Sequence, residues 1–390
     1  MSNIPSRVEN KPADPVEEKN FDAFRTVYVL LGGTGMKVGM RLRRRVLEAH
    51  GIPQLPFQQY LWLDTDKQDQ RSQTIDETET VARRLELPDD DIIDISLPFE
   101  RVRHVRDHMH EYPWLQEWLD LDMLRDLCQS ARAEDGAAQI RALGRLAFTE
   151  KFQEFRAKFE HRFDELSKGS LATDAQEFKY KVESRAIEIA IICSLGGGTG
   201  AGCFIEAARV MRELAAARSQ GDVHIKAYLL LPGVYRRRLS DKPAAWEEVQ
   251  ANACAALMEL NALSALTGEG FRAPPVWIED FKVENPIGDP FNQVFLIEER
   301  NDAGLTFEGE FDEDAFSMLA DALYFDFERS AFGGKMRSHR CNVMPHLQTV
   351  SYLDYPVNDG TQAAVKDGEL GNRKYVFRFP NAFGAFGLAR

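Results

Sequence analysis

Short apolar runs alternate with segments of helical periodicity along most of the chain. The run at residues 27–31 is followed by apolar positions four apart at Val38, Leu42 and Val46, which predicts a strand and then an amphipathic helix. Strands that alternate with helices predict an α/β fold, with a mostly parallel sheet covered by helices on both faces. Further predicted strands lie at 60–63, 91–97, 187–193, 227–231 and 294–297, and further predicted helices at about 113–130, 148–163, 203–210, 252–260 and 314–327.

Two of the predicted strands run directly into glycine-rich turns. The first ends in Gly-Gly-Thr-Gly at 32–35, and the strand at 187–193 leads into Leu-Gly-Gly-Gly-Thr-Gly-Ala-Gly at 195–202. Glycine has no Cβ, so a ligand can approach the main chain closely, and backbone N–H groups at a helix N-terminus bind phosphate. Thr199 adds a hydroxyl group in the middle of the second turn. The sequence therefore predicts a nucleotide-binding protein.

Three nucleotide-binding designs can be compared with these residues. A P-loop requires Lys-Ser or Lys-Thr after its glycines, and neither turn has such a pair. A dinucleotide-binding enzyme fits Gly33, Gly35 and Gly39 after the first strand, with Asp64 available for a ribose hydroxyl, but it gives the turn at 196–202 no role. In the third design, loops at the carboxyl ends of several parallel strands converge on one nucleotide.

The third design is that of a known superfamily. Residues 196–202 match the signature Gly-Gly-Gly-Thr-Gly, then Ser, Thr or Ala, then Gly, at every position, so the chain resembles the tubulin/FtsZ superfamily of GTPases, and within it a bacterial tubulin-like group. Other loops resemble the family in the same chain order. They are 32–35 for the first phosphate loop, Asp64-Thr65-Asp66 for the Asn-Thr-Asp after the second strand, 136–145 for the γ-phosphate loop and 231–233 for the ribose-side loop.

The resemblance implies a site for GTP or GDP with Mg²⁺. Asn252 and Asn301 resemble the asparagines that contact guanine in the family, and an amide side chain suits a base edge because it both donates and accepts. No metal site formed by the protein alone is predicted. The cofactor-binding residues implied by the resemblance are Gly32, Gly33, Thr34, Gly35, Asp64, Asp66, Gly136, Gly196, Gly197, Gly198, Thr199, Gly200, Ala201, Gly202, Asn252 and Asn301.

The catalytic residue is not assigned. In the family, hydrolysis requires an acidic residue on a loop after the central helix, and this residue reaches the nucleotide of the next subunit in a filament. Its usual signature is not found after residue 330, where Asp354 and Asp359 are interpreted as surface turn residues. Two functions stay open: a GTPase coupled to head-to-tail self-assembly, and a nucleotide-binding module that acts without hydrolysis as a switch or scaffold. An NAD(P)-dependent oxidoreductase is a third, less favoured alternative.

The domain prediction follows from the extent of the resemblance. Residues 25–330 are expected to form one nucleotide-binding domain with a helical insertion near 100–180, and 266–292, rich in proline, are expected to be an inserted loop. Residues 1–24 are predicted to be a disordered tail, and 331–390 a truncated or partial second domain of the family's activation type.

The charge, apolar runs and cysteines of the chain limit which binding partners and which cellular compartment are expected. The net charge of −14 and the pI of about 5.2 argue against general binding to nucleic acid or to an anionic membrane surface. The chain has no uninterrupted apolar run of about 18 residues, so no membrane insertion is expected. Its five cysteines form no C-x-x-C pair, which favours a reducing, cytoplasmic compartment.

Overall fold

A parallel β-sheet organises the structure. The computed structural model describes residues 21–66, 84–120, 122, 124, 139–168, 170–218, 222–265, 274–286, 290–298, 312–327 and 383–385. Its strands are β1 (Phe21–Leu31), β2 (Gln58–Asp64), β3 (Ile92–Asp94), β4 (Tyr180–Ser194), β5 (Val223–Leu230), β6 (Val276–Ile278), β7 (Phe281–Val283), β8 (Gln293–Ile297) and β9 (Phe383–Ala385). Seven of them form one sheet in the order β3-β2-β1-β4-β5-β8-β9 with parallel neighbours throughout, whereas β6 and β7 form an antiparallel hairpin.

The central strands are apolar on both sides because helices cover both faces of the sheet. Successive residues of a strand point to opposite faces. Gly39 lies against the side chain of Leu30 on one face, while Gly200 lies against the Cβ of Cys193 on the other. Leu30 pairs with Ile192 and Leu31 with Cys193, so Leu30 and Cys193 face opposite layers. The predicted α/β fold with a mostly parallel, doubly covered sheet is confirmed.

Helices lie between the strands, and in the described part of the chain five of them lie between β3 and β4. The helices are α1 (Gly32–His50), α2 (Phe99–Asp107), α3 (Pro113–Gln116), α4 (Arg141–Glu150), α5 (Phe152–Glu165), α6 (Leu171–Glu177), α7 (Thr199–Arg218), α8 (Pro243–Ala265) and α9 (Asp312–Phe325), with 3₁₀ turns at Asp89–Asp91, Met109–Glu111 and Pro232–Tyr235. Within these described segments, no helix combines the length and the apolar character needed to cross a bilayer.

The phenylalanine stripe predicted between 148 and 163 faces the core and spans two helices. All five of its rings, from Phe148 to Phe163, are at most 1% exposed. The helices α4 and α5 are separated at Lys151, and the rings of Phe148 and Phe155 pack edge to face at 4.9 Å across this break. Burial of the stripe therefore anchors α4, which in turn packs along α7.

Several boundaries differ from the sequence prediction. β1 begins at Phe21, inside the predicted tail, and α8 begins at Pro243, nine residues before the predicted start at Asn252. Of the predicted strand at 91–97, only Ile92–Asp94 forms a strand. The predicted loop at 266–292 contains the hairpin β6–β7. Within the predicted second domain, β9 pairs with β8 and so extends the main sheet.

The strand order locates the crevice in which a ligand can bind. β1 and β4 are neighbours, and the chain proceeds from β1 to β2 and β3 on one side and from β4 to β5 and β8 on the other. The winding direction therefore reverses between β1 and β4. In open α/β sheets, ligands bind beyond the carboxyl ends of the strands at such a point. Both glycine-rich turns begin there.

Candidate functional site

The two glycine-rich turns meet at the carboxyl ends of β1 and β4. α1 starts directly after β1, and Gly32 at the junction has a φ of +71°, a left-handed conformation that glycine adopts without strain. A Cβ atom on Gly32 would lie 3.5 Å from the Cβ of Thr199 and 3.7 Å from the N of Gly200. The start of α1 thus contacts the start of α7.

The turn between β4 and α7, residues 195–198, is held tightly except at one residue. The N–H of Gly196 donates to the Ser194 hydroxyl at 3.1 Å, and the N–H of Gly202 donates to the Gly198 carbonyl at 3.0 Å. Gly196 and Gly198 are buried, whereas Gly197 is half-buried, and a Cβ atom on it would meet none of the described atoms within 4 Å. The open position in the β4–α7 turn is therefore Gly197, two residues before the first residue of α7.

A cluster of side-chain oxygens lies beside this N-terminus. The hydroxyls of Thr65 and Thr199 are 2.7 Å apart, and the Thr199 hydroxyl donates to Asp64 Oδ1 at 3.4 Å. Asp64 is only 3% exposed. On the next turn of α7, burial raises the pKa of the Cys203 thiol to about 12, and the nearby Asp64 carboxylate adds to this effect. The cluster combines a buried carboxylate with two hydroxyls, which are oxygen ligands suited to Mg²⁺.

The segment after β5 closes the site on a third side. The 3₁₀ turn Pro232–Tyr235 places the Tyr235 hydroxyl 2.8 Å from the hydroxyl of Thr34. Gly233 in the same turn lies against the Glu298 carboxylate, at the end of β8. The sequence predicted residues 231–233 for this loop but missed Tyr235, whose only signal was its position two residues after the proline–glycine pair.

Two helices support the β4–α7 turn from the protein side. A Cβ atom on Gly144 of α4 would collide with the Gly198 carbonyl, and one on Gly196 would lie 2.5 Å from Cγ1 of Val249 on α8. The Asn252 amide, also on α8, donates to the Gly196 carbonyl at 3.1 Å and to the Gln139 carbonyl at 2.6 Å. Val249 was not predicted. Gly144 belongs to the segment 136–145 predicted as the γ-phosphate loop, and Asn252 was predicted for a different contact.

A cavity of about 600 Å³ lies between α4, α7 and α8. Its cationic side chains are paired: Arg145 donates to Glu206 at 2.9 Å and its guanidinium lies 4.2 Å over the Trp118 ring, while Arg141 pairs with Glu259. Because these arginines already have carboxylate partners, a phosphate in the cavity would have to displace those carboxylates. The crevice at Gly32 and Gly197 is the better candidate for binding phosphate.

Most of the predicted cofactor-binding residues lie close together in the structure, and two of them are not among the described residues. The residues at 32–35, Asp64, Asp66 and 196–202 lie around the switch point, and Asn252 supports it from behind. Gly136 and Asn301 lie outside the described residues. In the described part of the chain, no group of three or more His, Cys, Asp or Glu side chains is arranged to hold a metal ion.

Three of the solved structures similar to the chain are CetZ proteins. CetZ2 from Haloferax volcanii, described as a GTPγS-bound protofilament, has 14% identity and a TM-score of 0.38, with 81% of this chain and 63% of that one covered. CetZ1 from Haloferax volcanii, described as a GDP-bound monomer, has 12% identity and a TM-score of 0.38, with 77% and 57% covered. CetZ from Methanosaeta thermophila strain DSM 6194 has 11% identity and a TM-score of 0.38, with 81% and 58% covered. The chain thus spans 57–63% of the length of these proteins.

The comparison with curated proteins finds no match. A family model described as "Tubulin like" matches residues 27–390, which is nearly the whole chain. The matched region contains both glycine-rich turns, the oxygen cluster at Asp64 and the parallel sheet that positions them. On this match, the chain belongs to the tubulin-like family.

Proposed function

We propose that this protein binds GTP or GDP, with Mg²⁺, in the crevice between β1 and β4. The observation that carries the proposal is the contact of two glycine-rich turns at the reversal of strand order, with Gly32 facing Thr199 and Gly197 open. Membership of the tubulin-like family supports the choice of a guanine nucleotide over NAD(P). A dinucleotide enzyme would use the turn after β1 and would leave the β4–α7 turn without a role.

The residues present fit a phosphate group. α7 begins at Thr199, so the first N–H groups of this helix have no carbonyl partner within it, as in helix N-termini that bind anions. Gly197 leaves room for close approach of a phosphate oxygen to the main chain. The predicted phosphate contacts at residues 32–35 and 196–202 remain part of this proposal.

The oxygen cluster fits a magnesium ion that is also bound by phosphate. Mg²⁺ is bound in nucleotide sites by one or two protein oxygens, several waters and the phosphates themselves. Asp64 supplies a carboxylate beside the hydroxyls of Thr65 and Thr199, and Asp66 follows within the same turn. The metal would neutralise phosphate charge, and these side chains would orient it or its waters.

We further propose that the nucleotide is coupled to head-to-tail self-assembly, because a heterologous interface that does not close on itself propagates into a filament. The family supports assembly with GTP hydrolysis. The sequence after residue 330 supports the alternative, a nucleotide-dependent switch or scaffold without hydrolysis, because it lacks the acidic signature of the family. A bacterial origin and a cytoplasmic location are also part of the proposal.

Calorimetric titration of the purified chain with GTP, GDP, ATP and NAD tests the binding proposal. We expect heat of binding for both guanine nucleotides that depends on Mg²⁺, and little for ATP and NAD. Absence of binding heat with both guanine nucleotides would refute the binding proposal, and binding of NAD alone would support the oxidoreductase. Phosphate release separates the remaining functions: a rate per subunit that rises with protein concentration indicates assembly-coupled hydrolysis, and no release indicates the switch or scaffold.

A further inference from the structure

We infer that Asn252 is a positioning residue for the β4–α7 turn and does not read the base. The inference rests on the proposed function, because it concerns how the phosphate-binding main chain is held. It assigns to Asn252 a role different from the guanine contact that the family resemblance implies.

The hydrogen bonds of the Asn252 side chain carry the argument. Its amide nitrogen donates to the carbonyl oxygens of Gln139, at 2.6 Å, and of Gly196, at 3.1 Å. A primary amide has two N–H donors, and both acceptors here are carbonyls that can only accept. Both donors are therefore used within the protein. A base edge that needs a donor and an acceptor in one plane would find only the acceptor oxygen.

The bond to Gly196 sets the direction of the next N–H group. In a trans peptide the C=O and the N–H point in opposite directions across one plane. Since the Gly196 carbonyl points to Asn252 on α8, the N–H of Gly197 points away from α8. Gly197 is the residue of this turn at which a Cβ would meet open space. Asn252 thus turns a main-chain donor towards the open side, where the proposed phosphate binds.

The same amide holds a second segment. Gln139 has a φ of +63°, a left-handed conformation that is unfavourable for a residue with a side chain. The residue lies just before α4, which packs against Gly198 through Gly144. Val249, one helical turn before Asn252, packs at Gly196. Asn252 and Val249 therefore fix Gly196 from α8, while Asn252 also ties the entry of α4 to it.

Two substitutions at Asn252 separate positioning from base reading. Asn252→Asp keeps the size but places carboxylate oxygens against two carbonyls, and Asn252→Ala removes the bonds. Asn261→Ala is the matched control, because Asn261 is exposed on the same helix. Affinities are measured for GTP, for ITP, which lacks the 2-amino group, and for 2-aminopurine riboside triphosphate, which lacks the 6-oxo group.

We expect both Asn252 variants to weaken all three nucleotides by the same factor, about tenfold for one lost charge-assisted donor, with the ratios between nucleotides unchanged. The control should bind as the wild type does. A loss confined to GTP and to the one analogue that keeps the contacted group would show base reading and overturn the inference. Unchanged affinity for all three would overturn it as well.

Amide hydrogen exchange measured without nucleotide tests the positioning role of Asn252 independently of the proposed function. Amide hydrogen exchange of the segment 194–202 should be about fivefold faster in Asn252→Ala than in the wild type, since one stabilising hydrogen bond is lost. Unchanged exchange would refute the positioning role even if the wild type bound nucleotide. Faster exchange in a wild type that bound no nucleotide would refute the proposed function and leave the role of Asn252 in the turn intact.

Discussion

Replacement of Gly197 by alanine tests the phosphate site at a position where the β4–α7 turn is open. A Cβ atom on Gly197 would meet none of the described atoms within 4 Å, and no left-handed φ is recorded for this residue. The substitution therefore adds a methyl group without strain or collision inside the protein. If the site is as proposed, the methyl group occupies space that the phosphate needs.

The magnitude follows from the interaction that is lost. A hydrogen bond to a charged group contributes about 1.5–3 kcal/mol, so displacement of the phosphate from one main-chain N–H should weaken GTP binding by about 10- to 150-fold. The folded protein should lose no stability. At a compatible site the change from glycine to alanine even stabilises by about 0.4–1 kcal/mol, because the unfolded chain loses freedom.

The assay pairs calorimetric titration with a thermal melt, and Gly144→Ala provides the contrast. A Cβ atom on Gly144 would collide with the Gly198 carbonyl, so that variant should lose about 1–3 kcal/mol of stability. Gly197→Ala should lose affinity with an unchanged or slightly higher melting temperature. Equal GTP affinity in Gly197→Ala and the wild type would show that phosphate does not approach this turn, and the site would have to be sought elsewhere.

Three further outcomes are expected. Removal of Mg²⁺ with EDTA should weaken GTP binding to the wild type, whereas Asp64→Asn, which keeps the shape but loses the charge, should be much less sensitive; an equal response of both proteins would remove Asp64 from the metal site. Brief treatment with N-ethylmaleimide at pH 8, followed by peptide mapping, should show that exposed Cys254 is labelled and buried Cys203 is not. The pKa of about 12 keeps Cys203 almost entirely as the unreactive thiol at this pH. Labelling of Cys203 would contradict its buried position. Burial lowers the pKa of His224, so as the pH decreases the unfolded chain takes up a proton near pH 6.5, before the folded chain does. The free energy of unfolding should therefore fall as the pH decreases below about 6.5. His224→Gln should make this pH dependence shallower in urea titrations, and an equal pH dependence in both proteins would count against the lowered pKa.

The centre of the sheet could be predicted from the sequence because its central strands are largely buried. β1 and β4 appear as apolar runs, and each ends at a glycine-rich turn whose position in the chain is unambiguous. The order of the loops along the chain was then enough to predict that the two turns lie close together, as they do in the structure. The start of α8 was missed for the opposite reason: residues 243–248 are mostly exposed, so the first turns carry no apolar periodicity.

Contacts between distant segments could not be predicted from periodicity. Tyr235 meets Thr34 across 201 positions, and Asn252 meets Gln139 across 113. An asparagine at the position of Asn252 is compatible with a helix, a base contact or a main-chain contact, and only the placement of its neighbours decides among them. The short hairpin β6–β7 was missed because strands of three residues leave too weak an alternation to detect.

The packing around the glycines has an evolutionary consequence. Gly196 lies against Val249, Gly200 against Cys193 and Gly202 against the Arg141 carbonyl, so each of these three is required for the turn to fold against its own protein. Selection for a stable fold alone would therefore retain most of the signature in a descendant that had stopped binding nucleotide. Position 197 is free of that constraint. Among relatives of this chain, a side chain at that position should mark the lineages in which the ligand, though not the fold, has been lost.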